Sequence, residues 1–235
     1  MPTGCSVGLL IMEDVNYPIL PGNVMNAYTY DFPVQMRAVP NLTNDRLAAS
    51  DPTIADDIIK AARYLIDKEG VRAVCSACGF FGRYHLKVAS ALNVPTAMSS
   101  LVQLPMVRNL IRPNQKVGIL SANGPGVTPQ LFANCGIGEY KNIAVKGLEN
   151  TEHFSAVLDN RGYFDNGKVR AEVVGAALEL QEENGDIGAI LLECSDMPPY
   201  AADIQEAMHL PVFDFTTLIR WLHSGTACTR YSGWI

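Results

Sequence analysis

Near-continuous apolar runs alternate along the chain with stretches whose apolar positions recur at helical spacing, and that alternation sets the expected elements. Residues 6–12 (Ser-Val-Gly-Leu-Leu-Ile-Met) show little polar alternation and read as a strand buried on both faces. Residues 32–39 form a second strand candidate, stopped by Pro40-Asn41. The stretch between them, 13–31, is rich in Pro, Gly, Asn and Tyr and too long for a tight turn. It reads as a partly helical functional loop in which Asn23 can start a helix. Asp51-Pro52 then opens a helix with an acidic N-cap and proline at the first position, running to about Lys68 and closing at Gly70. A strand at 71–77, a helix at 82–92, a short strand at 95–98 and a helix at 101–111 follow. From Lys116 the order starts again. Strands are expected at 116–120, 141–145, 187–193 and 212–215, with helices ending near Cys135-Gly136 and spanning 169–183, 200–208 and 216–223.

The second series repeats the first. An offset of 116 residues pairs Val71 with Ile187, Ala73 with Ala189, Cys78 with Cys194, Tyr84 with Tyr200 and Val94-Pro95 with Leu210-Pro211. Strands alternating with helices imply parallel sheets with helices on both faces, and the repeat implies two such pseudo-symmetric α/β lobes, 1–115 and 116–235, with residues 210–235 able to pack across them. In open α/β sheets ligands bind beyond the carboxyl ends of the strands. Cys78 and Cys194 both fall at that edge, facing one cleft.

Composition narrows the classes of function. With 48% hydrophobic residues the chain can bury a core. No apolar run reaches the roughly 18 to 20 residues that span a bilayer, and the N-terminus lacks the basic flank of a signal peptide. A net charge of -6 without a basic block argues against nucleic acid or an anionic membrane as partner. These features point to a cytoplasmic protein whose six cysteines are reduced. Cys75-Ser-Ala-Cys78 has C-x-x-C spacing, but the scattered histidines supply no second ligand pair for zinc, and Cys75 lies inside the apolar run. Gly124-Pro-Gly126 lacks the Lys-Ser/Thr ending of a phosphate loop.

The motifs Ala77-Cys78-Gly79-Phe80 and Leu192-Glu193-Cys194-Ser195-Asp196, with Ser121-Ala122-Asn123 at the first strand end of the second half, resemble those of the aspartate/glutamate racemase superfamily. The resemblance covers nearly the whole chain. It implies two flavodoxin-like lobes, no cofactor, a small carboxylate substrate, and a homodimer or larger homo-oligomer. Many glutamate racemases have Cys-Asn-Thr and Cys-Thr-His where this chain has Cys78-Gly79-Phe80 and Cys194-Ser195-Asp196, and Met12-Glu13-Asp14-Val15 replaces the glycine-rich turn usual in aspartate racemases. The substrate therefore stays open.

Inverting a carbon next to a carboxylate needs one group to remove a proton and another to return one on the opposite face. A thiolate and a thiol serve, provided the usual cysteine pKa of about 8.5 is lowered, and a helix N-terminus following each cysteine can lower it. The expected activity is thus a racemase or epimerase with Cys78 and Cys194 as acid and base. Gly79, Phe80, Ser121, Ala122, Asn123 and Ser195 would hold the substrate, with Asn23 and Asn41 in bordering loops. Asp196 either assists Cys194 or caps the helix after it. Ser121, Asn123 and Ser195 can equally be plain N-caps, and Cys5, Cys75, Cys135 and Cys228 read as inert. The alternatives are a maleate isomerase or decarboxylase of the same superfamily, or a protein that binds a small carboxylate without acting on it.

Overall fold

The computed structural model describes residues 4–43, 46–47, 49–138 and 141–233. Among these, two four-stranded sheets form, and every strand pairing is parallel. The first sheet holds β1 (Val7–Ile11), β2 (Val34–Ala38), β3 (Ala73–Ser76) and β4 (Thr96–Ala97) in the order β2-β1-β3-β4. The second holds β5 (Lys116–Ser121), β6 (Ile143–Gly147), β7 (Ile187–Leu192) and β8 (Val212–Phe213) in the order β6-β5-β7-β8. The helices are α1 (Ile54–Tyr64), α2 (His85–Ser90), α3 (Leu104–Leu110), α4 (Pro129–Asn134), α5 (Ser155–Leu158), α6 (Asn166–Glu183), α7 (Ala201–Met208) and α8 (Phe215–Thr226). The expected pair of flavodoxin-like α/β layers is therefore what the chain builds. Adding 116 to the bounds of β4 gives those of β8, so the repeat read from sequence is a repeat in space.

Local differences from the expected elements have local causes. The stretch expected as one helix up to Lys68 is α-helical only to Tyr64; Leu65–Glu69 widen into a π-turn, which closes at Gly70 with φ of 75°. The helices expected from 82, 101 and 200 are each preceded by a tighter 3-10 turn, at Gly79–Tyr84, Ser100–Gln103 and Pro198–Tyr200. In the loop at 13–31, no helix starts at Asn23. A 3-10 turn forms instead at Ala27–Thr29, capped by the Asn26 side chain.

The two halves are locked together by an exchange of helices. The apolar face of α8 (Phe215, Leu218, Ile219 and Leu222) packs on Val7, Leu9, Ala73 and Cys75 of the first sheet. Reciprocally, Leu104 and Val107 of α3 pack on Val117, Ile119, Ala189 and Leu191 of the second. Each half thus covers the other's sheet, and separating them would expose both apolar faces to water. Buried polar contacts follow the same seam: Gln103 Nε2 donates to the Asp214 carbonyl at 2.9 Å, and Ser100 Oγ to the Leu192 carbonyl at 2.8 Å. This seam holds the ends of β3 and β7 beside one another.

Candidate active site

The polypeptide leaves β3 at Ala77 and β7 at Glu193, and the two turns that follow interlock. Gly79 is what permits the approach. A Cβ added there would lie 1.8 Å from Glu193 Oε1 and 2.4 Å from the Glu193 carbonyl oxygen, so no larger residue fits. Ser195 returns the contact, its Oγ donating to the Ala77 carbonyl at 2.7 Å. Above these turns lies a cavity of about 260 Å³, lined by Cys78, Gly79 and Phe80 from one half and Ala122, Asn123, Glu193, Cys194, Ser195 and Asp196 from the other. Both cysteines expected to carry the chemistry therefore face one cavity.

Their surroundings differ. Cys78 is half-buried and is followed by the 3-10 turn Gly79–Tyr84. Backbone N–H groups of Phe80 and Phe81 favour its thiolate, yet burial, reinforced by the charge of Glu193, outweighs them and pushes the thiol up to about 12. Cys194 is buried, and its thiol donates to Asp196 Oδ2 at 3.6 Å. Burial, then the charges of Asp196 and Glu193, push it well above the usual cysteine range. The activation expected from a following helix thus does not prevail. The turns after both cysteines are short and carry few aligned peptides, and desolvation is the larger effect.

Three acidic side chains shape the electrostatics. Glu193 is 1% exposed, and burial pushes it up to about 7 against the opposing influence of Ser121 and Arg83. Ser121 Oγ donates to its Oε2 at 2.9 Å, whereas its Oε1 has no hydrogen-bond partner. Asp196 accepts from Asn23 Nδ2 at 2.5 Å and from Tyr17; burial still raises its pKa. It does not cap the following helix. Asp14 lies at the exposed edge. Arg83 is the one cation among the described lining residues; its guanidinium sits 4.9 Å from the Phe80 ring centroid, and its Nη1 donates to the Leu47 carbonyl and to Ser50 Oγ.

The remaining expected residues divide. Ala122 and Asn123 line the cavity, and Asn123 also caps a short turn by accepting from Gly126 N. Ser121 lies beneath it and holds Glu193. Asn23 supports Asp196 from behind instead of lining the cavity. Asn41 is outside the site altogether: it is exposed in a left-handed turn with φ of 58°, and its carbonyl accepts from Arg46 Nη1 at 2.6 Å. Tyr17 and Arg83, which face the cavity, carried no signal in the hydrophobic pattern. Asn160 also escaped notice, although it bridges the halves at the rim, accepting from Asn16 N at 2.6 Å and donating to the Asp14 carbonyl at 2.9 Å.

Solved structures share this repeated flavodoxin-like fold, the fold of the aspartate/glutamate racemase superfamily. Allantoin racemase from Pseudomonas fluorescens superposes with a TM-score of 0.63 at 14% identity, over 97% of this chain and 99% of that one. Arylmalonate decarboxylase gives 0.61 at 17% identity, over 97% and 94%, and glutamate racemase from Bacillus anthracis 0.55 at 11%, over 96% and 84%. No protein-family model matches. By sequence the chain belongs to the dimethylsulfoniopropionate lyase family. It is 32% identical to dimethylsulfoniopropionate lyase of Durusdinium sp. clade D, over 87% of this chain and 70% of the relative. It is 30% identical to dimethylsulfoniopropionate lyase 7 of Emiliania huxleyi, over 88% and 63%. Relatives and structural neighbours alike are enzymes, but the relatives by sequence are named lyases where the sequence motifs led us to expect a racemase.

Proposed function

We propose that the chain is a carbon–sulfur lyase that eliminates dimethyl sulfide from dimethylsulfoniopropionate or a closely similar β-sulfonio carboxylate. The observation that carries the reading is the unequal pair of thiols on one cavity: Cys78 next to backbone N–H groups, Cys194 hydrogen-bonded to a carboxylate. The lyase names of its relatives give the direction of the chemistry. Both racemisation and β-elimination begin by removing the proton on the carbon next to a carboxylate. Of the two thiols, Cys78 is the easier to ionise, and we assign it as base. Its thiolate takes the α-proton. The freed electron pair forms the α–β double bond, and the β C–S bond breaks with its pair going to sulfur. Dimethyl sulfide and acrylate result, and the proton on Cys78 passes to solvent. Cys194, held as a thiol by burial and Asp196, donates a hydrogen bond to the charge that builds on the carboxylate.

The test is direct. Purified protein is incubated with dimethylsulfoniopropionate, headspace dimethyl sulfide is measured, and acrylate is followed by NMR. Equal release of both is expected, and substrate left intact sinks the reading. A second reading, two-base inversion of an amino acid or related carboxylate, is favoured by the equivalent strand-end positions of the two cysteines. It requires α-deuteration with inversion in heavy water across a panel of amino acids and hydantoins.

A further inference from the structure

We propose that Glu193 is the counter-anion for the onium group of the substrate, so that the site selects a carboxylate carrying a permanent positive charge a few bonds away. The inference rests on the β-sulfonio carboxylate reading and names the group that recognises the sulfonium.

Among the described residues, three buried side-chain atoms lack a hydrogen-bond partner: Arg37 Nε, Tyr84 OH and Glu193 Oε1. Only Glu193 belongs to a cavity wall. A carboxylate oxygen buried without a partner is costly, and folds rarely keep one unless something completes it. Of the other charges lining the cavity, Asp196 is engaged by Asn23, Tyr17 and Cys194, Arg83 by Leu47 and Ser50, and Asp14 is exposed to water at the rim. Of the buried acids there, Glu193 alone has an oxygen without a partner. A metal ion would need several ligands, and the described residues contain no group of three His, Cys, Asp or Glu side chains able to hold one. An organic cation needs only one nearby anion and apolar walls for its alkyl groups, which Met12, Val15 and Val157 supply. A sulfonium has no N–H to donate, and charge attraction in a site of low dielectric suffices without one.

The same arrangement ties binding to catalysis. A negative Glu193 opposes the thiolate of Cys78, which lies one residue from the Gly79 that Glu193 touches. An onium group beside Glu193 cancels that opposition. Substrate binding therefore eases ionisation of the base when the α-carbon is at hand.

The test uses two inert ligands of the same shape: 3-(trimethylammonio)propionate, and 4,4-dimethylpentanoate, in which a carbon replaces the charged nitrogen. Dissociation constants are measured by calorimetry for the wild type and Glu193→Gln, which keeps the side chain's size and its contact with Ser121. Wild type is expected to prefer the cation by about 10- to 100-fold, the span of one screened charge contact. In Glu193→Gln the preference collapses toward unity while affinity for the neutral ligand is kept. Equal wild-type affinities overturn the proposal without recourse to any variant. A wild-type preference that survives Glu193→Gln overturns the assignment to Glu193 and leaves the zwitterionic substrate standing. A preference that depends on Glu193, in an enzyme releasing no dimethyl sulfide, upholds the counter-anion and discards the lyase reading.

Discussion

The turns after β3 and β7 start from matching strand ends and are opposites in chemistry. Position by position, Ala77 corresponds to Glu193, Cys78 to Cys194, Gly79 to Ser195 and Phe80 to Asp196. The cysteine is the only one of the four kept. The residues that follow Cys78 in its own turn are apolar or lack a side chain, so the hydrogen bonds to its sulfur come from backbone N–H. The charge that bears most on it belongs to Glu193 of the other turn. Around Cys194 the side chains are acidic or hydroxylic, and one of them accepts the thiol proton. A symmetric two-base exchange would have both thiols in comparable surroundings. The divergence instead suits a reaction that runs one way, with a base on one side and a permanent hydrogen-bond donor on the other.

The cysteines themselves give the largest expected effects. Cys78→Ala should lower dimethyl sulfide release by about 10²- to 10⁴-fold, the usual contribution of a positioned acid or base, and abolish exchange of the α-proton with heavy water. Cys194→Ala should also slow release, by about 10²-fold, as loss of an oxyanion donor does. It should, however, leave α-exchange detectable, because Cys78 remains. Loss of exchange in Cys194→Ala with retention in Cys78→Ala would reverse the assigned roles.

The next pair of positions tests packing. Gly79→Ala drives a methyl group into Glu193, against both its carboxylate and its carbonyl, and the turns must part. A loss of about 1–3 kcal/mol of stability is expected, together with most of the activity. Its counterpart Ser195→Ala removes one hydrogen bond to Ala77 and should cost about 1 kcal/mol. Denaturant melts of the two variants measure the difference directly. Equal losses would mean that the interlock does not depend on the missing side chain at Gly79.

Much of this is legible in the sequence alone. Period and repeat identified the two sheets, and the offset of 116 singled out Cys78 and Cys194 from four other cysteines. Side chains that meet over long sequence separations were not legible. Asn23 meets Asp196 at a separation of 173 residues and Ser121 meets Glu193 at 72, and neither contact follows a helix or strand period. Asn41 misled for a related reason: an asparagine in a loop serves a left-handed turn as readily as a ligand, and nothing local separates the two roles. The acids beside Cys194 were legible too. Setting the halves in register shows acids at Glu193 and Asp196 where the first half has Ala77 and Phe80, and those two acids give the site its polarity.

The last and smallest effect concerns Ala77 against Glu193, and it appears in stability as a function of pH. Burial raises the Glu193 carboxyl from an ordinary 4.5 to about 7, so the folded protein holds that proton more tightly than the unfolded chain does. Stability from this group is complete below the unfolded value and is lost as pH rises through the folded one. Glu193→Gln cannot ionise and escapes that loss. The variant should match wild type near pH 4.5 and exceed it by a few °C in Tm above pH 7, with the gap opening between those limits. Cys78, Cys194 and Cys135 surround the same carboxylate but titrate far above this window, so none of them produces the gap. Asp196 titrates in both proteins and cancels in the difference. A gap independent of pH would mean that Glu193 is not held protonated by burial, and that its free oxygen is satisfied by something other than an incoming cation.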